Sequence, residues 1–200
     1  MTLAPLVLAS ASQTRIDMLK NAGLEFTQQP ASADEDSVKV SLVAEGAPPR
    51  EIADALADLK AHAVSQMRPE ALVIGADQIL VKDGQIFSKA TDRKSARATL
   101  LSLSGGEHKL ISAAVVYQNG RAVWHTLDEA KLIVRPLSEK FVEGYLDALG
   151  DDAFWSVGCY QLEGLGSQLF TKIDGDFFTV LGLPLLPLLD FFRLRGYMPL

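Results

Sequence analysis

Cysteine is almost absent: Cys159 is the only one among 200 residues. That excludes an internal disulfide and any cysteine-rich zinc site. No histidine lies near Cys159 in sequence, so a small core or cleft-lining residue is its ordinary reading, ahead of a nucleophile. Long apolar runs are missing too; none approaches the roughly 20 residues that span a bilayer. The chain starts directly on a strand-like Leu3 to Leu8, without the charged region, apolar core and cleavage site of a signal peptide. A cytoplasmic protein without a membrane partner is the expectation. Basic residues are in deficit, 19 Lys and Arg against 25 Asp and Glu, for a net charge of -6. Such a chain lacks the positive face that binding a nucleic-acid polymer or an anionic membrane requires. A small anionic substrate is still open to it, because a local cluster of Lys and Arg can hold phosphates when carboxylates opposite recruit a divalent cation. Histidines are few, and His62, His108 and His125 show no metal-ligand spacing; all three read as structural or surface groups.

What is present begins with the stretch from Leu6 to Lys20. An apolar run of Val and Leu ends in Ser10-Ala11-Ser12, and Arg15 follows where apolar Ile16 and Leu19 announce a helix. Free backbone N–H groups at a helix N-terminus, serine hydroxyls and a guanidinium favour an anion there. A serine at this place also caps helices routinely, and the glycine pattern of a Walker or dinucleotide loop is missing.

Further along, Thr27 to Asp36 reads as an extended segment and loop carrying Asp34-Glu35-Asp36. Pro48 and Pro49 introduce a helix over Glu51 to Met67, with Ile52, Leu56, Leu59 and Val64 at helical spacing. Leu72 to Val81 is a strand turned at Asp83-Gly84 into Gln85-Ile86-Phe87. Asp92 caps a helix running to Leu103 and closed by Gly105-Gly106. Leu110 to Gln118 and Arg121 to Arg135 form two longer strands joined by Asn119-Gly120, and Pro136 to Leu149 is another helix. A glycine-punctuated stretch, Gly158 to Gly182, precedes a closing helix over Leu183 to Arg195. Alternating helices and strands without a clean break predict one α/β domain over residues 1–200, with a mixed, twisted β-sheet and a cleft, in one body or in two lobes.

Several residues stand out chemically. Asp77 sits inside an otherwise apolar strand, where a carboxylate costs free energy unless it is paired, hydrogen-bonded or bound to metal. It is either a structural partner of a lysine or a general base or metal ligand acting on water. Gly75 and Ala76 beside it would let a ligand approach the backbone. Lys60 on a helix, Lys89 after the hairpin and Glu35 in the acidic run would each ordinarily be solvated surface groups. Three glycines bracket Gln161 and Glu163 in Gly158-Cys159-Tyr160-Gln161-Leu162-Glu163-Gly164-Leu165-Gly166. That pattern suits either a tight turn or a loop passing close to a ligand, where Gln161 has donor and acceptor atoms for a nucleobase edge and Glu163 could hold metal or read an amino group.

Taken together, these segments resemble the Maf family of nucleoside triphosphate pyrophosphatases. The resemblance runs through Leu8 to Arg15, Asp34-Glu35, Leu56 to Ala61, Ile74 to Gln78, Lys89, Leu103 to His108 and Gly158 to Gly166, and ends with Ile173 to Asp176 and Val180 to Leu185. It implies an ITPase-like α/β fold, a mixed sheet flanked by helices with two lobes around a deep cleft. It also implies hydrolysis of a nucleoside triphosphate between its α and β phosphates with Mg²⁺ or Mn²⁺, a house-cleaning role, and a homodimer. By position, Asp77 matches the proposed base and a metal ligand, Glu35 a metal-side carboxylate, and Ser10, Arg15, Lys60 and Lys89 the phosphate-binding groups. Thr14, Gln78, Gln161 and Glu163 match positions on the substrate side. Two departures stand out. Gln13 and Thr14 replace the family's usual proline and second arginine, and Ser88 and Ala90 replace the glycine and proline around Lys89. Gln78 resembles the branch acting on 7-methyl-GTP, whereas Gln161 resembles the pyrimidine branch, so no base is chosen. Loss of the second arginine leaves a second function class open: a nucleotide-binding regulator of septum formation with little turnover.

Overall fold

The computed structural model describes residues 3–199. Among them are seven strands in one mixed sheet and seven α-helices: β1 (Leu6–Leu8), α1 (Gln13–Asn21), β2 (Thr27–Gln28), α2 (Glu35–Ala44), α3 (Pro49–Met67), β3 (Leu72–Lys82), β4 (Gln85–Phe87), α4 (Arg93–Leu103), β5 (Glu107–Gln118), β6 (Arg121–Val134), α5 (Glu139–Leu149), β7 (Phe170–Asp174), α6 (Phe177–Leu181) and α7 (Leu185–Leu194). The α/β class and most elements agree with the sequence pattern. Two compact units are present; three of their boundaries fall inside β3, β5 and β6, and the fourth, after Asp176, lies between β7 and α6.

The first unit comprises residues 3–78, Ile111–Asp128 and 177–199. Here β1 pairs in parallel with both β2 and β3. β1 is shorter than the pattern Leu3 to Leu8 suggests. Pro5 has no N–H to give a ladder, and its carbonyl accepts from Leu72 N at 2.9 Å, just ahead of the first strand pair. The core packs Leu6, Leu8, Leu72, Ile74 and Ala76 against Ile16 and Leu19 of α1 and Leu188 and Phe192 of α7.

Side chains alternate along β3, so Ile74 and Ala76 face that core while Gly75 faces α3. A Cβ on Gly75 would lie 2.7 Å from the Cβ of Ala61 and against the Ala57 carbonyl, so helix and strand approach more closely than a side chain permits. α3 follows the proline pair as expected, with Pro49 at its first turn and Ile52, Leu56, Ala57, Ala61 and Val64 buried along one stripe. The acidic run is a correction to the expected loop. Asp34 accepts from Ser37 N at 3.1 Å and caps α2, so Glu35 is the first residue of a helix.

The second unit comprises Ile79–Leu110 and Glu129–Asp176. Its β3–β4 hairpin turns through Asp83 and Gly84, both at positive φ, the two-residue turn that matches strand twist. Asp92 forms the N-terminal capping box of α4, and Ser138 caps α5. The glycine-punctuated stretch hides β7, antiparallel to β6, while α6 follows it in the first unit.

Beneath the loop at residues 156–166, Tyr160 is buried and its hydroxyl lies 2.7 Å from His108 Nε2. Phe170 meets the Tyr160 ring edge-on, and the ring lies where a side chain on Gly158 would go. Burial, helped by the Lys82 charge, pushes the His108 imidazole down to about 4, so it is neutral in the fold. Cys159 is buried in this loop, its thiol pushed up to about 11 by burial; that is the behaviour of a core residue.

Gly75→Ala should lower the urea midpoint by the equivalent of about 1–3 kcal/mol of overpacking. Gly144→Ala, in α5 with open space around it, should raise stability by about 0.5–1 kcal/mol. Because unfolded histidine takes a proton near pH 6.5 and buried His108 only near about 4, the fold should hold its full His108 contribution above pH 6.5. As pH falls from 6.5 toward 4 it should lose up to about 3 kcal/mol, a slope that urea unfolding measures and that His108→Gln should flatten.

Candidate active site

Ala9 N donates to Ile74 O at 2.8 Å, which sends the chain out of β1 toward the start of α1. Ser12 is the N-cap and accepts from Arg15 N, whereas the Ser10 hydroxyl does different work. Ser10 Oγ accepts from Ser12 N at 3.2 Å and from Arg15 Nη1 at 3.3 Å, and Gln28 Nε2 holds the Ser10 carbonyl. Arg15 is buried, and its Nε donates to Gly182 O at 2.8 Å. Burial lowers the pKa of the guanidinium, while the charges of Asp77 and Glu35 act in the opposite direction. Thr14 lies half-buried at the start of α1, and Gln13 turns aside to donate to Asp17.

Opposite stands a lysine that sequence reasoning would have left on a solvated helix face. Lys60 is only 7% exposed. Its Nζ donates to Asp77 Oδ1 at 2.7 Å and meets Glu35 Oε2 at the same distance. Asp77 is thus the partner of a lysine, as one of its two readings held, and its second oxygen is not the one that Lys60 engages. α3 supplies the buried ammonium, β3 a largely covered carboxylate and the first turn of α2 the more exposed one. Two cations, Arg15 and Lys60, stand with two anions, Glu35 and Asp77, so the cluster is balanced in charge.

Gln78 follows Asp77 on β3 and turns to the other face of the sheet. Its Nε2 lies 3.0 Å from Ser112 Oγ, from Thr179 O and from Val180 O. The sequence reading passed over Ser112, Thr179 and Asp128. A signal existed for Ser112, a lone hydroxyl in the apolar run from Leu110 to Val116.

In the second unit, Lys89 is exposed on the segment that follows β4. Gln161 is half-buried and Glu163 exposed in a loop whose tightness explains its glycines; a Cβ on Gly166 would lie 2.7 Å from Gln161 N.

Comparison with known proteins identifies the family. The family model for Maf-like protein matches residues 5–194. A protein of Caulobacter vibrioides named nucleoside triphosphate pyrophosphatase is 52% identical over 196 residues, covering 98% of each chain. A second, from Paramagnetospirillum magneticum and of the same name, is 53% identical over 95% of this chain and 98% of its own. A protein of Bartonella quintana named 7-methyl-GTP pyrophosphatase is 50% identical over 96% of each chain. Similarity of that extent, end to end, leaves no segment of the fold outside it, and the chain belongs to the Maf-like protein family.

Proposed function

We propose that this chain is a nucleoside triphosphate pyrophosphatase, a hydrolase that cleaves the anhydride between the α and β phosphates and releases a nucleoside monophosphate and pyrophosphate. The observation that carries the reading is the cluster of buried Lys60 and Arg15 with Asp77 and Glu35, in a chain about half identical to proteins of that name. Removal of modified or surplus nucleotides is the role that this chemistry serves. A cytoplasmic location is part of this proposal, and so, on the resemblance, is a homodimer; among the described residues no helix is long and apolar enough to cross a membrane.

The donor set suits a divalent cation. Among the described residues no three acidic, histidine or cysteine side chains gather as a metal cage. Glu35 and Asp77 nonetheless offer hard carboxylate oxygens, and Mg²⁺ ordinarily takes one or two of these together with substrate phosphate oxygens. When bound, Mg²⁺ or Mn²⁺ would offset the charge developing on the phosphoryl oxygens and the pyrophosphate leaving group.

The chain's own groups do the rest. Lys60 has three N–H donors, of which two are directed at Asp77 and Glu35, and the third can meet a phosphate oxygen. Arg15 presents a planar fork suited to phosphate, oriented through Nε and Nη1. Asp77 has one oxygen fixed by Lys60, which leaves the other to accept a proton from the attacking water. Charge on the polyphosphate would be met by two cations that are themselves buried, Lys60 and Arg15, whose contacts are worth more than those of surface groups. Lys89, Gln161 and Glu163 enter by motif, as a further phosphate contact and as base contacts.

Asp77→Asn tests the central assignment. With ordinary and modified nucleoside triphosphates and Mg²⁺ or Mn²⁺, the wild-type protein should give pyrophosphate and monophosphate, and a chelator should stop it. The variant should lose activity by a factor on the order of 10²–10⁴, the usual worth of a positioned base. Orthophosphate with a diphosphate product would make the protein a phosphatase. Nucleotide binding without turnover would leave the regulator.

A further inference from the structure

The resemblance places Gln78 on the nucleobase, yet the structure commits its amide elsewhere. Nε2 is 3.0 Å from each of three oxygens, Ser112 Oγ and the carbonyls of Thr179 and Val180. An amide turned the other way would set its oxygen against two carbonyl oxygens, so the orientation is fixed by chemistry. Ser112 Oγ passes the chain on, donating to the same Thr179 carbonyl at 2.8 Å. The Thr179 hydroxyl donates to Asp128 Oδ2 at 2.7 Å, and Gly182 N returns to Thr179 O at 3.1 Å. Three side chains from β3, β5 and β6 therefore pin a helix of one turn and the glycine that ends it. Ser112 and Thr179 are fully buried, so these bonds are made away from water.

What the pinned turn holds is Arg15. Gly182 has φ +103, a conformation that a side chain would strain. Its carbonyl accepts from Arg15 Nε at 2.8 Å. Arg15 Nη2 and Gln78 Oε1 lie 3.5 and 3.6 Å from the point where a Gly182 Cβ would sit, so the guanidinium and the amide crowd the same bare backbone. With Ser10 fixing Nη1, the direction of the fork is set by one serine and one backbone carbonyl. We infer that Gln78 is a positioning residue for the phosphate-binding guanidinium: it anchors the α6–Gly182 turn, which in turn aims Arg15, instead of selecting the nucleobase. The inference rests on the reading of Arg15 as a phosphate ligand.

Inorganic tripolyphosphate, which has neither base nor sugar, separates the two roles. Its binding is measured by calorimetry with Mg²⁺, beside kcat/KM for triphosphates of four different bases, for wild type, Gln78→Leu, Arg15→Lys and the double variant. Gln78→Leu should weaken tripolyphosphate binding about tenfold and lower kcat/KM by about 10- to 100-fold, by one factor for every base, as a guanidinium displaced by an ångström would. In the Arg15→Lys background it should cost little more, since the fork it aims is gone. Ser112→Ala removes one donor from the same carbonyl and leaves Gln78 intact; it should give a smaller, equally uniform loss, with thermal unfolding showing that the variant is folded. Unchanged tripolyphosphate binding with a reordered base preference would overturn the inference, as would full additivity with Arg15→Lys or a wild-type protein that binds no tripolyphosphate. If wild type binds tripolyphosphate and releases no pyrophosphate, the enzymatic reading fails alone, and weaker binding by Gln78→Leu still supports the positioning role.

Discussion

One ammonium shared by two carboxylates organises the rest of this site. A lysine that is 7% exposed has lost most of its hydration, and that loss is tolerable only because Asp77 and Glu35 both stand at 2.7 Å. Removing a partner from such a group ordinarily costs about 3–5 kcal/mol, because a charge is left buried and uncompensated. The contact therefore imposes a condition on the backbone, namely that α3 and β3 run close enough for Lys60 to reach Asp77. Gly75 meets that condition two residues earlier on the same face of the strand. Glycine weakens a strand in general, yet here the closeness it permits is what the ion pair needs.

The alternation of β3 then divides labour between the two faces of one sheet. Gly75 and Asp77 face α3 and the ammonium, while Ile74, Ala76 and Gln78 face the side built by α1, α6 and α7. Two adjacent residues thus serve two cations from opposite sides. Asp77 holds Lys60 directly, and Gln78 reaches the turn that holds Arg15. A register slip of one residue would exchange these faces and bury the carboxylate in the apolar core, so the pairing of β3 with β1 is also a constraint on chemistry.

Much of this was legible in the residues, and the illegible parts have physical reasons. Asp77 announced itself as a carboxylate in an apolar strand, and the turns at Asp83-Gly84 and Asn119-Gly120 were readable because their dihedrals favour those residue types. α2 was not readable, since none of its residues is buried and the apolar periodicity that marks a helix is missing. β7 and α6 were hidden among glycines whose spacing suits loops. Three of the four boundaries between the units left no mark because they cross strands, where composition does not change, and the fourth falls at Asp174-Gly175-Asp176, in the glycine-punctuated stretch. Lys60 stood out only through the family resemblance of Leu56 to Ala61; by helix position alone it reads as a surface lysine, and the tertiary approach of Asp77 and Glu35 is what makes it more.

The groups of the site are also held with unequal firmness. Asp77 and Lys60 belong to elements with continuous buried stripes, and Arg15 is buried beside Ile16 and Leu19. Glu35 rides on a helix without a buried residue, whose Val40 and Val43 point into solvent. Elements with so little buried apolar surface lie at the low end of local stability. Glu35 is consequently the charge whose place costs least to change, and the balance of two cations with two anions is most easily altered there. Asp77 is held by a strand that also packs the core, whereas Glu35 is held at the end of a helix without buried residues, so the two carboxylates that share one ammonium have unequal backing.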